Sequence, residues 1–346
     1  MKNYHYIAFL RILAMFAIIG AHTVATPVIY NAQEYSDFWL HLSVVLTMLQ
    51  RGGVNIFIAI SGALFLQPEK ELTLSKLFKK YIFRIVLALL IFGTLFALME
   101  IVFTEKSFHA GQILTALLNM LQNKSWGHLW YLYMLAGLYL VTPVFKRFVN
   151  SVSNTEIRYL LLVLVVFDML FPLLENFTGV KIGFYIPFAG MPVFYYLLGY
   201  ALHAKIVRLP DIPCFGMILL SLAIYLAECL IPVEIDTISV QFKGLSMTAL
   251  LSSFVPVAIF SLALNHCKTE IGAKRTNCEK LLSELSFGVY IFHAVFINFI
   301  YKVLHLSPAN LNVFLMWVIV FVITSILSLL TTYILRLIPL VRKYIL

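Results

Sequence analysis

Long apolar runs broken by short polar segments recur along the whole chain. A helix needs about 20 mostly apolar residues to cross a hydrocarbon core of about 30 Å. Runs that meet this length fall at 6–30, 43–66, 82–104, 127–147, 157–175, 184–203, 213–232, 245–265, 284–304 and 311–335. The pattern predicts an all-α integral membrane protein with about ten transmembrane helices. The first run, Ile7 to Tyr30, follows only one charge, Lys2, and exceeds the apolar core of a signal peptide, so it is expected to remain as the first span. No stretch rich in Pro, Gly or Ser divides the chain, and the longest polar connection, roughly 266–283, is too short to fold alone. A single polytopic domain over 1–346 is therefore expected. No repeat relates its halves, which weakens a transporter reading.

Composition supports the same class: 62% of residues are hydrophobic and 12% charged, and the mean hydropathy is +0.94. Soluble domains carry roughly 25% charged residues. Lys and Arg alternate between connections. One set of segments holds 18, from Lys2 through Lys70, Lys146, Lys205 and Lys268 to Lys343, and the opposite set holds 5: Lys106, Lys124, Lys181, Lys243 and Lys302. The positive-inside rule then puts both termini in the cytoplasm of a multi-pass protein of the cell membrane, either a bacterial inner membrane or a plasma membrane. The net charge of +9 is spread over many short segments and forms no aromatic-interleaved patch, so no nucleic-acid partner is indicated. Cys214, Cys229, Cys267 and Cys278 show no metal-ligand or disulfide spacing and are taken as structural, with no metal site expected.

Ionisable groups within a span are costly and mark functional candidates. Arg11 and His22 stand eleven residues apart on the first span, close to three helical turns, so they share a face about 16 Å apart along the axis. Arg11 lies toward the cytoplasm and His22 toward the outer half. In the second span Arg51, Asn55 and Gly62 share a stripe, while Gly52, Gly53, Ser61 and Gly62 also suit close helix approach. Lys76, Lys79, Lys80 and Arg84 gather where the third span leaves the cytoplasm, either as a flank against anionic lipid or as a cluster that holds phosphates. The fourth span opens with His128-Leu-Trp130-Tyr131, where an interfacial aromatic belt explains Trp130 and Tyr131 but not His128. Ser286 and His293 fall on one face of the ninth span. Glu100, Asp168 and Glu228 are further ionisable residues near or within spans, but no spacing assigns them a role.

With these residues in view, the chain resembles the acyltransferase family 3 membrane proteins, which modify surface carbohydrates and related acceptors using acyl-CoA. Arg11 and His22 match that family's Arg-x10-His signature, and Gly53 to Gly62 its Gly-Val-x-x-Phe-x-x-x-Ser-Gly pattern. The basic residues Lys80 to Arg84, the His-x-Trp-Tyr run from His128, and Ser286-x-Gly-x-Tyr-x-x-His293 complete an ordered set of five motifs. The resemblance runs from residue 4 to the end. His128 to Phe145 and Phe194 to His203 are most similar to the short, single-domain branch that includes the common-antigen O-acetyltransferase. Many members carry Asp where Asn55 stands. No appended extracytoplasmic catalytic domain is visible, so transfer is expected within this domain or with a separate partner.

The resemblance implies a membrane-bound O-acyltransferase that moves an acyl group, acetyl first among candidates, from cytoplasmic acyl-CoA to a hydroxyl of a surface or lipid-linked polysaccharide. No permanently bound cofactor is implied. Such a transfer needs a base for the hydroxyl proton or a nucleophile that carries the acyl group, and a histidine can serve as either. His22 is expected to be that base or relay and Arg11 an orienting charge, with Arg11 or Arg51 available to the thioester oxyanion. Lys79, Lys80 and Arg84 are expected to hold the donor's phosphates. Arg51, Asn55, Ser61, His128, Trp130, Ser286 and His293 are expected to line the cavity or touch substrate. Two other classes also suit a polytopic chain with charges in its spans: an exporter of lipid-linked glycans, and a non-catalytic subunit of a glycan synthase.

Overall fold

The structure, a computed structural model, describes residues 5–187, 190–228, 234–236, 239–241, 245–267, 273–306 and 312–346. Side chains at 30–32, 48–51, 176–177, 227–228, 245–252 and 273–276, and those of two short strands, lie outside that description, as do Cys229, Lys243 and Lys268 altogether. Among the described residues the regular structure is helical apart from an antiparallel pair, β1 (Glu234–Asp236) and β2 (Ser239–Gln241). The helices are α1 (His5–Asn31), α2 (Asp37–Phe65), α3 (Leu74–Glu105), α4 (Gly111–Leu121), α5 (Gly127–Ser151) and α6 (Asn154–Glu175). They continue with α7 (Met191–His203), α8 (Asp211–Glu228), α9 (Leu245–His266), α10 (Ala273–Asn298), α11 (Val313–Arg336) and α12 (Pro339–Tyr344). Among the described residues seven helices are long and apolar enough to cross a bilayer, as expected of a multi-pass membrane protein.

Two elements differ from the hydropathy pattern. The run 184–203 is helical only over α7, which is 13 residues and so about 20 Å long. Pro187 and Gly190 interrupt the run ahead of it, and Pro192 sits in its first turn. Phe194 to Leu202 are all buried, so α7 is apolar because protein surrounds it. Helix α4 was not anticipated, since eleven residues fall well short of a span. It lies against α3 with Gln112, Ala116 and Met120 buried, while Ile113, Leu114, Leu118 and Leu121 face outward.

The chain packs as two compact units. The first comprises Met1–Leu64 and Val152–Leu330, and the second Phe65–Ser151 and Thr331–Leu346. Lipid tails are as apolar as leucine, so helices in a bilayer associate through close packing and polar contacts rather than by hydrophobic transfer. In the first unit glycines supply that closeness. A Cβ at Gly62 would overlap the Tyr196 carbonyl, and one at Gly199 would overlap the Ala59 carbonyl, so α2 and α7 cross nearly backbone to backbone. A Cβ at Gly53 would sit 2.7 Å from the Ala14 carbonyl of α1, and one at Gly52 would sit 2.6 Å from the Pro256 ring of α9. Helix α10 packs along α1, with Met15 and Ile19 against Leu285 and Val289. Helix α6 starts with a capping box in which Ser153 and Glu156 satisfy each other's backbone N–H.

In the second unit α3 packs on α4 and α5 and carries two π-helical turns, Leu77–Ile82 and Leu89–Gly93. Lys146 donates to the carbonyls of Phe65 and Gln67, and Ser125 Oγ donates to Gly93 O at 2.8 Å. Helix α12 meets α3 through an edge-on contact of Tyr344 with Phe83, ring centroids 6.3 Å apart.

Candidate functional site

The α1–α10 seam carries the main candidates. Both Arg11 and His22 are half-buried on α1. Directly across from His22 stands His293 of α10, with ring centroids 5.1 Å apart and planes inclined by 45°. His293 is fully buried, and its Nδ1 lies 2.6 Å from the Tyr290 carbonyl. A carbonyl only accepts, so Nδ1 carries a proton, and whenever the ring is neutral its lone pair sits on Nε2. Tyr290 is itself buried, with its ring 5.9 Å from that of His293. Two imidazolium charges at 5.1 Å would repel by about 3 kcal/mol at an effective dielectric of about 20. The pair is therefore suited to carry one proton at a time.

The other candidates of this unit divide differently from the sequence expectation. Asn55 hydrogen-bonds the Tyr195 hydroxyl, which also donates to Ser253 O at 2.6 Å. Asn55 thus belongs to a polar tie among α2, α7 and α9. The Ser61 hydroxyl donates to Phe57 O at 3.0 Å and that of Ser286 to Ser283 O at 2.8 Å, each within its own helix. Ser286 shares a face with His293, but seven residues separate them by about 10 Å along the axis. Arg51 is on α2, with its side chain outside the described set.

In the second unit His128 is 6% exposed in the 3-10 turn that opens α5. It sits beside a stack in which Phe96 and Trp126 lie 4.6 Å apart at 18°, and Trp126 Nε1 donates to Glu100 Oε2 at 3.0 Å. Trp130 is 46% exposed and meets Tyr131 edge-on. Lys79 and Lys80 are exposed on the π turn of α3. Arg84 is half-buried, and its Nε donates to Ile345 O at 2.9 Å, so it secures the segment after α12 as well as adding positive charge.

A family model described as an acyltransferase domain matches residues 4–335. The chain belongs to acyltransferase family 3. None of the curated proteins and none of the solved structures is detectably similar to it. Membership makes it an enzyme that transfers acyl groups other than aminoacyl groups, which decides against the exporter and the non-catalytic subunit.

In this acyltransferase, then, the structure brings His22 and His293 together, and it assigns Asn55, Ser61, Ser286, Gly62 and Arg84 partners that account for them structurally. Sequence reasoning missed the pairing of the two histidines and the hydroxyl of Tyr301, which donates to the Thr23 carbonyl at 3.2 Å, next to His22. The Tyr290 contact had a local signal, because a helical side chain reaches the carbonyl three residues earlier. The contacts across helices had none.

Proposed function

We propose that this acyltransferase moves an acetyl group from cytoplasmic acyl-CoA to a hydroxyl of a surface or lipid-linked glycan, as in the branch that includes the common-antigen O-acetyltransferase. The single observation that supports a catalytic centre here is the His22–His293 pair, two imidazoles in ring contact at membrane depth with one tautomer set by a backbone carbonyl. His22 acts as the base. It takes the proton of the acceptor hydroxyl as that oxygen attacks the thioester carbonyl. The tetrahedral oxyanion then collapses, the C–S bond breaks, and the thiolate leaving group takes up a proton. Acyl relay through His22 uses the same ring as nucleophile. His293 supports the imidazolium that forms, and Arg11 supplies orienting positive charge on the same face of α1. Lys79 and Lys80 remain the candidates for the donor's phosphates, with Arg84 in a shared structural role, and His128 and Trp130 for acceptor contact.

The accompanying topology is ten spans in one catalytic domain over 1–346, both termini cytoplasmic, in the cell membrane. The seven long apolar helices and the excess of Lys and Arg on one set of connections support it. The test is transfer of radiolabelled acetyl from acetyl-CoA by the purified protein in nanodiscs, with mass spectrometry of surface glycans from cells with and without the gene. Label should reach a glycan fraction in the wild type and fail to do so in His22→Ala at equal protein level. Transfer that persists in His22→Ala rejects the assignment of the base.

A further inference from the structure

In the second unit two basic segments from distant parts of the chain meet. Helix α12, which Pro339 begins at its first position, docks on the start of α3. The Tyr344 ring meets Phe83 edge-on, and Arg84 Nε donates to Ile345 O at 2.9 Å across 261 residues of chain. Leu346 is 2% exposed, so the segment is gripped through its last residues. Arg342 and Lys343 stay exposed, with Lys343 Nζ 4.8 Å from the centre of the Tyr344 ring. On α3, Phe83 and Arg84 lie four residues after Lys79 and Lys80, both exposed. About one helical turn, roughly 5–6 Å between Cβ atoms, therefore separates the docked pair from the two lysines.

Positive charge at one face of a membrane is what topology asks for, but topology needs no contact between the charged segments. Here the contact is specific. Residues 72–99 and 285–346 contain no Asp or Glu, so neither segment supplies a carboxylate to offset the charges. Docking α12 beside Lys79 and Lys80 gathers like charge, an arrangement that favours an anion shared among the four cations. The size of that anion follows from the charges. Coenzyme A carries a diphosphate and a phosphate monoester, about four negative charges near neutral pH. Lys79 and Lys80 offset half of this. Arg342 and Lys343 supply the rest, and a guanidinium fork suits a phosphate bidentately. A lipid phosphodiester carries a single negative charge, which either lysine of α3 matches alone.

We propose that Arg342 and Lys343, carried to α3 by the docking of α12, complete the site for the phosphates of the acyl-CoA donor. The inference rests on the reading of acyl-CoA as that donor. It is tested by equilibrium binding of coenzyme A to the purified full chain in neutral phosphatidylcholine nanodiscs, which requires no acyl transfer. The wild type should bind saturably. Arg342→Gln with Lys343→Gln should weaken binding by about fivefold or more at low salt and by less at high salt, where screening removes the difference. The melting temperature should hold, because both side chains are exposed. Tyr344→Ala keeps both charges but loses the ring contact with Phe83, and it should weaken binding as well. Arg342→Lys with Lys343→Arg should recover most of the affinity. Lys205→Gln, an exposed charge in the first unit, should change nothing. Saturable wild-type binding that the double Gln variant leaves unchanged overturns the α12 site while acyl-CoA stands as donor. No saturable binding by the wild type rejects coenzyme A itself and the inference with it. An equal loss in Lys205→Gln reduces the effect to general charge and overturns the site. An effect confined to nanodiscs containing phosphatidylglycerol assigns Arg342 and Lys343 to lipid headgroups and overturns it too.

Discussion

If His22 and His293 act as one device, replacing both should cost little more than replacing either. His293→Asn is the informative change on α10, because an Asn amide N–H takes the place of Nδ1–H and keeps the bond to the Tyr290 carbonyl, while the Nε2 lone pair is lost. His22→Ala removes the proposed base. A positioned general base contributes about 10²–10⁴ in rate, or about 3–5 kcal/mol at 1.36 kcal/mol per decade. The rings are 5.1 Å apart, inside the range over which paired substitutions fail to add. Each single change is therefore expected to lower kcat by about 10²–10³, and the double change by no more than the worse single. The assay is acetyl transfer in nanodiscs at saturating donor, with melting temperature and size-exclusion profile as controls of folding. Two outcomes refute the reasoning: near-wild-type kcat in His293→Asn, or losses that multiply in the double variant.

Four further expectations follow from the packing and the charges. Gly62→Ala or Gly199→Ala should destabilise by about 1–3 kcal/mol or block folding, since the added methyl meets backbone, whereas Gly137→Ala, which meets open space, should not lower the melting temperature. Lys79→Ala with Lys80→Ala should raise the KM for acetyl-CoA with little change in kcat, because phosphate contacts act equally in ground and transition states. Arg84→Ala should instead lower the melting temperature through loss of the Ile345 contact. At the exposed start of α8, Asn265 and His266 hydrogen-bond Asp211 at 2.9 and 2.7 Å and hold its carboxyl below the usual range. Its contribution is therefore present above about pH 4, the ordinary carboxylate value, and is lost as the pH falls through the depressed one. Melting temperatures at pH 3 and pH 6 should differ less in Asp211→Asn than in the wild type.

The membrane class and most helices were legible in the sequence because the length of an apolar run is a local property, and water-free surroundings force such a run into a helix. The face shared by Arg11 and His22 was legible for the same reason, since 3.6 residues per turn places both without any neighbour. Hydropathy failed where its physical basis failed. Helix α4 is amphipathic and half a bilayer long, and α7 is apolar because protein rather than lipid encloses it. Which helix lies across from a given face is a different kind of question. Helical spacing put Asn55 among the site candidates with Gly62 on its stripe, and charge clustering added Arg84, yet only tertiary packing shows Asn55 tied to Tyr195, Gly62 pressed on the Tyr196 carbonyl and Arg84 holding Ile345. His22 and His293 are 271 residues apart in the chain, and no local rule relates them. Their meeting follows from α10 docking along α1, where Met15 and Ile19 pack on Leu285 and Val289, an outcome of side-chain fit summed over two long helices.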